Sequence, residues 1–284
     1  MPIVDDPVDA TGEARPVAPP RRRAGRPRIP VGLLLPAGLG LLFLTFPLIG
    51  LLVRAPWTTL PQRLTEPGVL TALRLSLQCA TLATLVCVLL GVPLAWLLAR
   101  VEFPGRRLVR ALVTVPLVLP PVVGGVALLL VFGRKGLLGE WLDTTFGITF
   151  PFTTTGVVIA EAFVAMPFLI IAVEGALRGA DTRYEEAAAT LGAGRWTTFT
   201  HVTLPLVAPG IAAGAVLCWA RALGEFGATI TFAGNYPGTT QTMPLAVYLA
   251  LETDLDAAIV LSLILLTVSV AILAGLRDRW ITSP

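Results

Sequence analysis

Arg221 and Glu225 stand four residues apart inside the apolar run 207–231. On a helix that spacing puts both on one face. Neither charge is tolerated alone in such a run, so mutual pairing is the first chemistry to expect. Beyond pairing, two uses stay open. The pair can be a neutral lock between helices, or it can line a pathway in which Arg221 draws an anion and Glu225 prevents tight trapping. Other ionisable groups are sparse. Glu161 and Glu174 lie in the apolar run 155–177, the first placed to face a bundle interior and the second near enough to its end to reach water. His201 is the only histidine. A catalytic centre built on Glu161, Glu225 and His201 would lack both a nucleophile–base arrangement and a metal-ligand motif. Cys79, Cys87 and Cys218 sit in apolar runs without ligand spacing, where thiols serve as small hydrophobes.

These side chains need helices that cross a hydrocarbon layer. Of the 284 residues, 55% are hydrophobic and only 14% charged, against about 25% charged in a soluble domain. The mean hydropathy is +0.80. A span needs about 20 mostly apolar residues. Six candidates meet that need, at about 31–53, 73–99, 108–132, 155–177, 207–231 and 257–276, so the chain reads as an all-α membrane protein of six transmembrane helices. Residues 1–30 are polar, Pro-rich and basic, and read as a disordered tail. The run Val31–Val53 exceeds the roughly 7–15 residues of a signal-peptide core and reads as a retained first span. The basic run "RRRAGRPR" reads as a topology signal beside that span, not as a nucleic-acid site. In the third span, "LPPVVGG" places Pro120 and Pro121 where they must disturb the backbone ladder, with Gly124 and Gly125 beside them. A gate or kink and plain close packing are equally compatible with that run.

Orientation follows from the arginines. With the N-terminus inside, the tail, the loop near 100–107, the polar stretch after 177 and the C-terminal end hold fifteen of the arginines, among them Arg106, Arg183 and Arg277. The outside segments hold only Arg54, Arg63, Arg74, Arg134 and Lys135. That bias fits cytoplasmic termini, with Trp57 and Trp141 near the outer surface and Trp96 and Trp280 near the inner one.

The inside stretch "EEAAATLGAGRWTTFTHVTLPL" is polar and Gly-broken between two apolar runs. Arg183 to Leu191 reads as a short helix, with Asp181 or Thr182 to cap its start. Gly192 and Gly194 supply a stop and a turn. A second short helix, about Arg195 to Val202, would carry Trp196, Phe199 and Val202 on one face, and Pro205 would let the chain take a new direction into the fifth span. The element would lie across the cytoplasmic mouth, either against a partner protein or on the lipid surface.

Glu186, Ala187 and Ala188, then Gly192, then Val202, Leu204 and Pro205 have the spacing of the EAA loop of ABC importer permeases, which this stretch resembles with Val in place of the usual Ile. The resemblance implies that the loop is a coupling helix docking in a groove of an ATPase subunit. A second resemblance is carried by "ARALGEFGATITFAGNYPGTTQTMPLAVYLALE" at 220–252, "LGVPLAWLLAR" at 90–100 and "PLVLPPVVGGVALLLVFGRKGLLG" at 116–139. These are similar to molybdate permease subunits, and more loosely to sulfate permeases, over roughly residues 70–275. What this implies is a type I ABC importer permease domain over 31–284, with its core at about 70–276, in a bacterial inner membrane. It also implies a second copy of the permease, two cytoplasmic ATPase subunits and an external molybdate-binding protein. Arg221, Glu225, Pro120, Pro121 and Gly124 then become candidates for the pathway of a tetrahedral oxyanion. The chain has no Gly-x-x-x-x-Gly-Lys-Ser/Thr phosphate loop. It is therefore expected to be no enzyme and to hold no cofactor, ATP being used by the partner subunit.

Overall fold

A computed structural model describes residues 31–281, with the side chains near the C-terminal end left out. The basic tail at 1–30 and the side chain of Trp280 lie outside the described residues. The described residues divide into two units, with the boundary between Ile49 and Gly50. A turn of 3₁₀ helix at Val31–Leu33 leads into α1 (Leu34–Val53), whose residues are almost all leucine, glycine, phenylalanine and their like. Its side chains are exposed or half-buried throughout, the composition of a helix solvated by lipid.

The second unit holds α2 (Leu60–Leu64), α3 (Pro67–Arg100), α4 (Arg106–Val118), α5 (Pro121–Phe132), α6 (Gly139–Phe146), α7 (Thr154–Gly179), α8 (Arg183–Thr190), α9 (Arg195–Thr198), α10 (Leu204–Leu223), α11 (Gly227–Ala233), α12 (Met243–Thr253) and α13 (Leu255–Ile281). Helix α3 starts at a proline, which fits a first turn because that N–H needs no partner there. Its 34 residues extend about 50 Å at 1.5 Å per residue, well beyond a hydrocarbon layer of about 30 Å.

Helix α7 is the centre of this unit and packs along α3 and α10. The shared core is small and branched: Ala80, Ala83 and Cys87 of α3, Ala165, Leu169 and Val173 of α7, Cys218 and Ala222 of α10. Small side chains let membrane helices approach closely and gain dispersion contact. A second cluster joins Ala72 of α3 to Met243 of α12 and to Val260 and Leu261 of α13. There the Met243 N–H donates to the buried Ser76 Oγ at 2.7 Å, satisfying one of the unpaired donors at the start of α12.

Among the described residues five helices are long and apolar enough to span, and there are six if the bent pair α4 and α5 counts as one span. The chain is thus a multi-pass membrane protein. Two expected spans need correction. The third, expected as one helix at 108–132, is two helices meeting at a bend of 118°. The residue before a proline is pushed out of the helical region. Here Leu119 precedes Pro120 and Pro120 precedes Pro121, and both are extended, at ψ 130° and 131°. The fifth, expected at 207–231, begins earlier and ends sooner. It runs as one helix from Arg195 to Leu223, stops at Gly224–Phe226, and resumes as the short α11.

Candidate functional site

The polar loop after α7 is built by local rules. Ala180 leaves the helical region, and Asp181 Oδ1 accepts the Arg183 N–H at 3.0 Å, opening α8. Helix α8 ends one residue before the expected Leu191, and Gly192 stands at φ 84°, where a side chain would be strained. The Ala193 N–H returns to the Ala188 carbonyl and the Gly192 N–H to the Ala189 carbonyl, each at 3.0 Å. That pair of bonds is a Schellman cap, and it makes a fixed corner.

Past the corner the expectation of a new direction at Pro205 is overturned. Helix α9 passes through a π turn at Phe199–Thr203 straight into α10. Proline lacks an N–H, and its ring clashes with the carbonyl four residues back. The wide turn, closed by the Leu204 N–H on the Phe199 carbonyl, loosens the helix just where that clash with His201 would fall. Trp196 and Phe199 share a face as expected, their rings 5.9 Å apart, and Phe199 and Val202 are both half-buried. Trp196 is 75% exposed, while Phe199 meets Trp96 of α3 edge-on at 5.7 Å.

Glu186 and Ala187 are exposed, and Ala188 is half-buried. Three apolar side chains project from the same element: Tyr184, Leu191 and Trp196, the last two 89% and 75% exposed. Three exposed large apolar residues are an unusual load for a short polar loop. Tyr184 and Leu191 were not singled out in the sequence, although their place inside a charged helix was the available signal. A cavity of about 610 Å³ lies between this element and the end of α3, with Arg100, Glu102, Glu185 and Arg195 among its walls.

Polar ties hold the end of α3 and the start of α4. Arg106 donates to the Leu98 carbonyl from Nη2 at 2.6 Å and from Nε at 2.9 Å. Glu174 does not reach water as its position suggested. It is buried, and its Oε1 takes Arg110 of α4 and Arg178 of α7, each at 2.6 Å. A lone carboxylate there would be costly, and two guanidinium groups compensate it.

The two sets of pathway candidates come together. Arg221 Nη2 lies 2.5 Å from Glu225 Oε2, close in distance but out of hydrogen-bond alignment, so that Oε2 has no hydrogen-bond partner among the described residues. The other oxygen, Oε1, accepts the Ala228 N–H at 2.9 Å and so fastens the start of α11. Glu225 is only 1% exposed. Helix α11 packs on α5, break against break. A Cβ on Gly227 would stand 2.8 Å from Pro121 Cβ, and one on Gly125 would stand 2.6 Å from Thr231 Cβ and 2.9 Å from the Ala228 carbonyl. Gly124 is buried against Phe163. Pro121 therefore lies beside α11, whose start Glu225 holds, while Gly124 faces Phe163 of α7. Glu161 is buried on α7, with one carboxylate oxygen unpartnered among the described residues.

Elsewhere, Arg63 of α2 donates to Asp254 Oδ2 at 2.8 Å, and Asp254 Oδ1 accepts the Ala257 N–H at 3.1 Å at the start of α13. The Ala257 N–H first, and Arg63 second, hold the Asp254 carboxyl below the usual carboxylate range.

Residues 91–283 match the family described as "binding-protein-dependent transport system inner membrane component". The molybdenum transport system permease protein ModB of Mycobacterium tuberculosis is 48% identical over 251 residues, 88% of this chain and 95% of that one. Its counterpart in Escherichia coli K12 is 46% identical over 210 residues, 74% of this chain and 92% of that one. Among solved structures, a bacterial ABC transporter involved in the import of the polysaccharide alginate superposes with a TM-score of 0.73 at 21% identity, over 89% of this chain and 95% of that one. The fold is that of the type I ABC importer permease. With most of its length matched, from the middle of α3 through α13, the chain belongs to the inner membrane components of binding-protein-dependent transport systems.

Proposed function

We propose that this chain is the membrane-spanning permease subunit of an ATP-driven importer of molybdate. The observation that carries the reading is the likeness to a molybdenum permease over nearly the whole of both chains. In this reading two copies of the permease face each other, both termini lie in the cytoplasm, and two ATPase subunits engage the α8–α9 element from below. An external binding protein supplies affinity for the ion, so the pathway itself needs only weak contacts.

The exposed Tyr184, Leu191 and Trp196 support a protein partner for the loop. A push on α8 meets the fixed corner at Gly192 and enters the helix Arg195–Leu223, which is continuous and therefore stiff along its axis. That helix delivers the motion to Gly224–Phe226, where the span breaks and α11 packs on α5. Glu186, Ala187, Ala188, Gly192, Val202, Leu204 and Pro205 belong to the coupling element. Arg221, Glu225, Pro120, Pro121 and Gly124 belong to the region that opens and closes.

The test is uptake of labelled molybdate by the complex in proteoliposomes, competed by excess unlabelled molybdate, tungstate or sulfate. Suppression by molybdate but not by sulfate supports the reading. No ATP-dependent uptake of molybdate, or equal suppression by sulfate, overturns it.

A further inference from the structure

We infer that Glu185, the residue just before the Glu-Ala-Ala run, is a positioning residue that ties the coupling element to two spans at once; the inference rests on the coupling role proposed above. Glu185 and Glu186 are neighbours in the chain but differ in burial. Glu186 is exposed, and Glu185 turns inward, with its side chain 21% exposed. One oxygen of Glu185, Oε1, accepts from Arg100 Nη2 at 3.2 Å and from Thr203 Oγ at 3.0 Å. Arg100 is the last residue of α3, and Thr203 is the last residue of the π turn that leads into α10.

The tie is the only side-chain hydrogen bonding from α8 to either span among the described residues. Beyond it, α8 packs on α9 and on the π turn, and is linked by the extended Ala180 and the capped corner at Gly192. Arg100 depends on the tie as well. Its Nε is buried without a partner among the described residues, and Glu185 is its one hydrogen-bond acceptor there. Loss of the carboxylate would leave a partly buried guanidinium with nothing to bind, a cost larger than the value of the bond itself. Thr203 is buried, so its hydroxyl likewise has Glu185 in place of water. A displacement of α8 is thereby shared between α3 and the long helix from Arg195, and the two spans move together. Without Glu185 a partner can move α8 and the long helix and still leave α3 behind.

The experiment uses the full complex with its ATPase and binding protein, and reads two quantities for each variant. The first is the ATPase retained on the purified permease, and the second is the number of ions imported per ATP hydrolysed. Glu185→Ala and Arg100→Ala should each retain the ATPase and lower import per ATP roughly fivefold, the scale of a partly exposed ion pair. The double variant should fall no further, and exchanging the charges with Glu185→Arg plus Arg100→Glu should recover part of the ratio. Thr203→Val removes only the hydroxyl and should give a smaller drop in the same ratio, so the inference stays testable if the charge variants assemble poorly. Unchanged import per ATP in Glu185→Ala and Thr203→Val overturns it, as does additivity of the two charge deletions. Loss of the ATPase from Glu185→Ala also overturns it, because that would make Glu185 a docking residue. Gly192→Pro tests the coupling role separately: normal ATPase retention and normal uptake there would remove that role, whatever Glu185 does.

Discussion

The third span turns by 118° at Leu119–Pro120, and the fifth stops at Gly224–Phe226, yet the two breaks are made by different means. Consecutive prolines force the first. Each disfavours the helical region for the residue before it, and two in succession break a chain that single prolines such as Pro47, Pro93 and Pro167 leave helical. No proline lies in the second. There Glu225 holds the N–H of Ala228 with one oxygen and sits against Arg221 with the other, so side chains set the chain's path. A break favoured by covalent geometry needs no partner to hold it. One held by a charge and a hydrogen bond can be remade when its partners move. The two breaks also pack on each other through Pro121 and Gly227, so a fixed corner braces a conditional one.

The largest effect that separates them should come from charge. Glu225→Gln keeps a side-chain oxygen for the Ala228 N–H and removes only the counter-ion of Arg221. Breaking a buried pair costs about 3–5 kcal/mol, and the lower end applies because the Arg221 side chain is 27% exposed. Arg221→Gln together with Glu225→Gln should cost less than Glu225→Gln alone. A double-mutant cycle scored on assembled permease and on thermal stability measures this, and additive losses would reject the pairing. Uptake then separates a lock from a pathway role. Full transport by a well-assembled double variant would leave the pair a lock.

Space should matter next. Gly125→Ala would push a methyl to 2.6 Å from Thr231 Cβ and 2.9 Å from a backbone oxygen of α11, which cannot swing aside as a side-chain tip would. Overpacking of this kind costs about 1–3 kcal/mol. Pro121→Ala should cost less, because Pro120 still biases Leu119 away from the helical region and the bend is expected to survive. The measurement is the melting temperature of the detergent-solubilised permease. A Pro121→Ala loss equal to that of Gly125→Ala would mean that the bend is not held by covalent geometry alone.

The two breaks also differ in how far the sequence disclosed them. "LPPVVGG" states its own disturbance, because a proline acts within one residue of itself. The stop at Gly224 does not, since Arg221, Glu225 and Ala228 fit an unbroken helix face as well as they fit a cap. Apolar run lengths placed the spans at 73–99, 155–177 and 257–276 inside α3, α7 and α13. The Glu-Ala-Ala loop was legible from spacing, down to its glycine corner. The π turn was not, because the proline that calls for it permits a change of direction equally well. Contacts across the fold were the least legible. Glu174 takes Arg110 from 64 residues away, and Glu185 takes Arg100 from 85. Nothing in local periodicity reports which arginine a glutamate will meet.

The smallest effect belongs to the exposed counterpart of the buried pair. Arg63 and Asp254 have the same guanidinium–carboxylate chemistry as Arg221 and Glu225, with Arg63 and Asp254 side chains 24% and 45% exposed. Solvent screens such a pair, so it should matter little and should answer to salt, unlike the buried one. The sign of its pH dependence follows from the depressed carboxyl. Between the ordinary Asp value of about 3.9 and neutrality the carboxylate is charged in the folded and unfolded chain alike, and the contribution is fully present. As pH falls below the ordinary value, the unfolded chain takes up its proton first, and the contribution shrinks until it is gone below the folded value. Asp254→Asn keeps an oxygen for the Ala257 N–H and removes the charge. Melting temperatures of the parent and of Asp254→Asn should differ by a small constant amount from pH 5 to 7 and should converge as the pH drops below about 4. Raised salt should narrow the gap at neutral pH while leaving the loss in Glu225→Gln in place. A gap that persists in acid, or a Glu225→Gln loss that salt erases, would mean that burial is not what separates the two pairs.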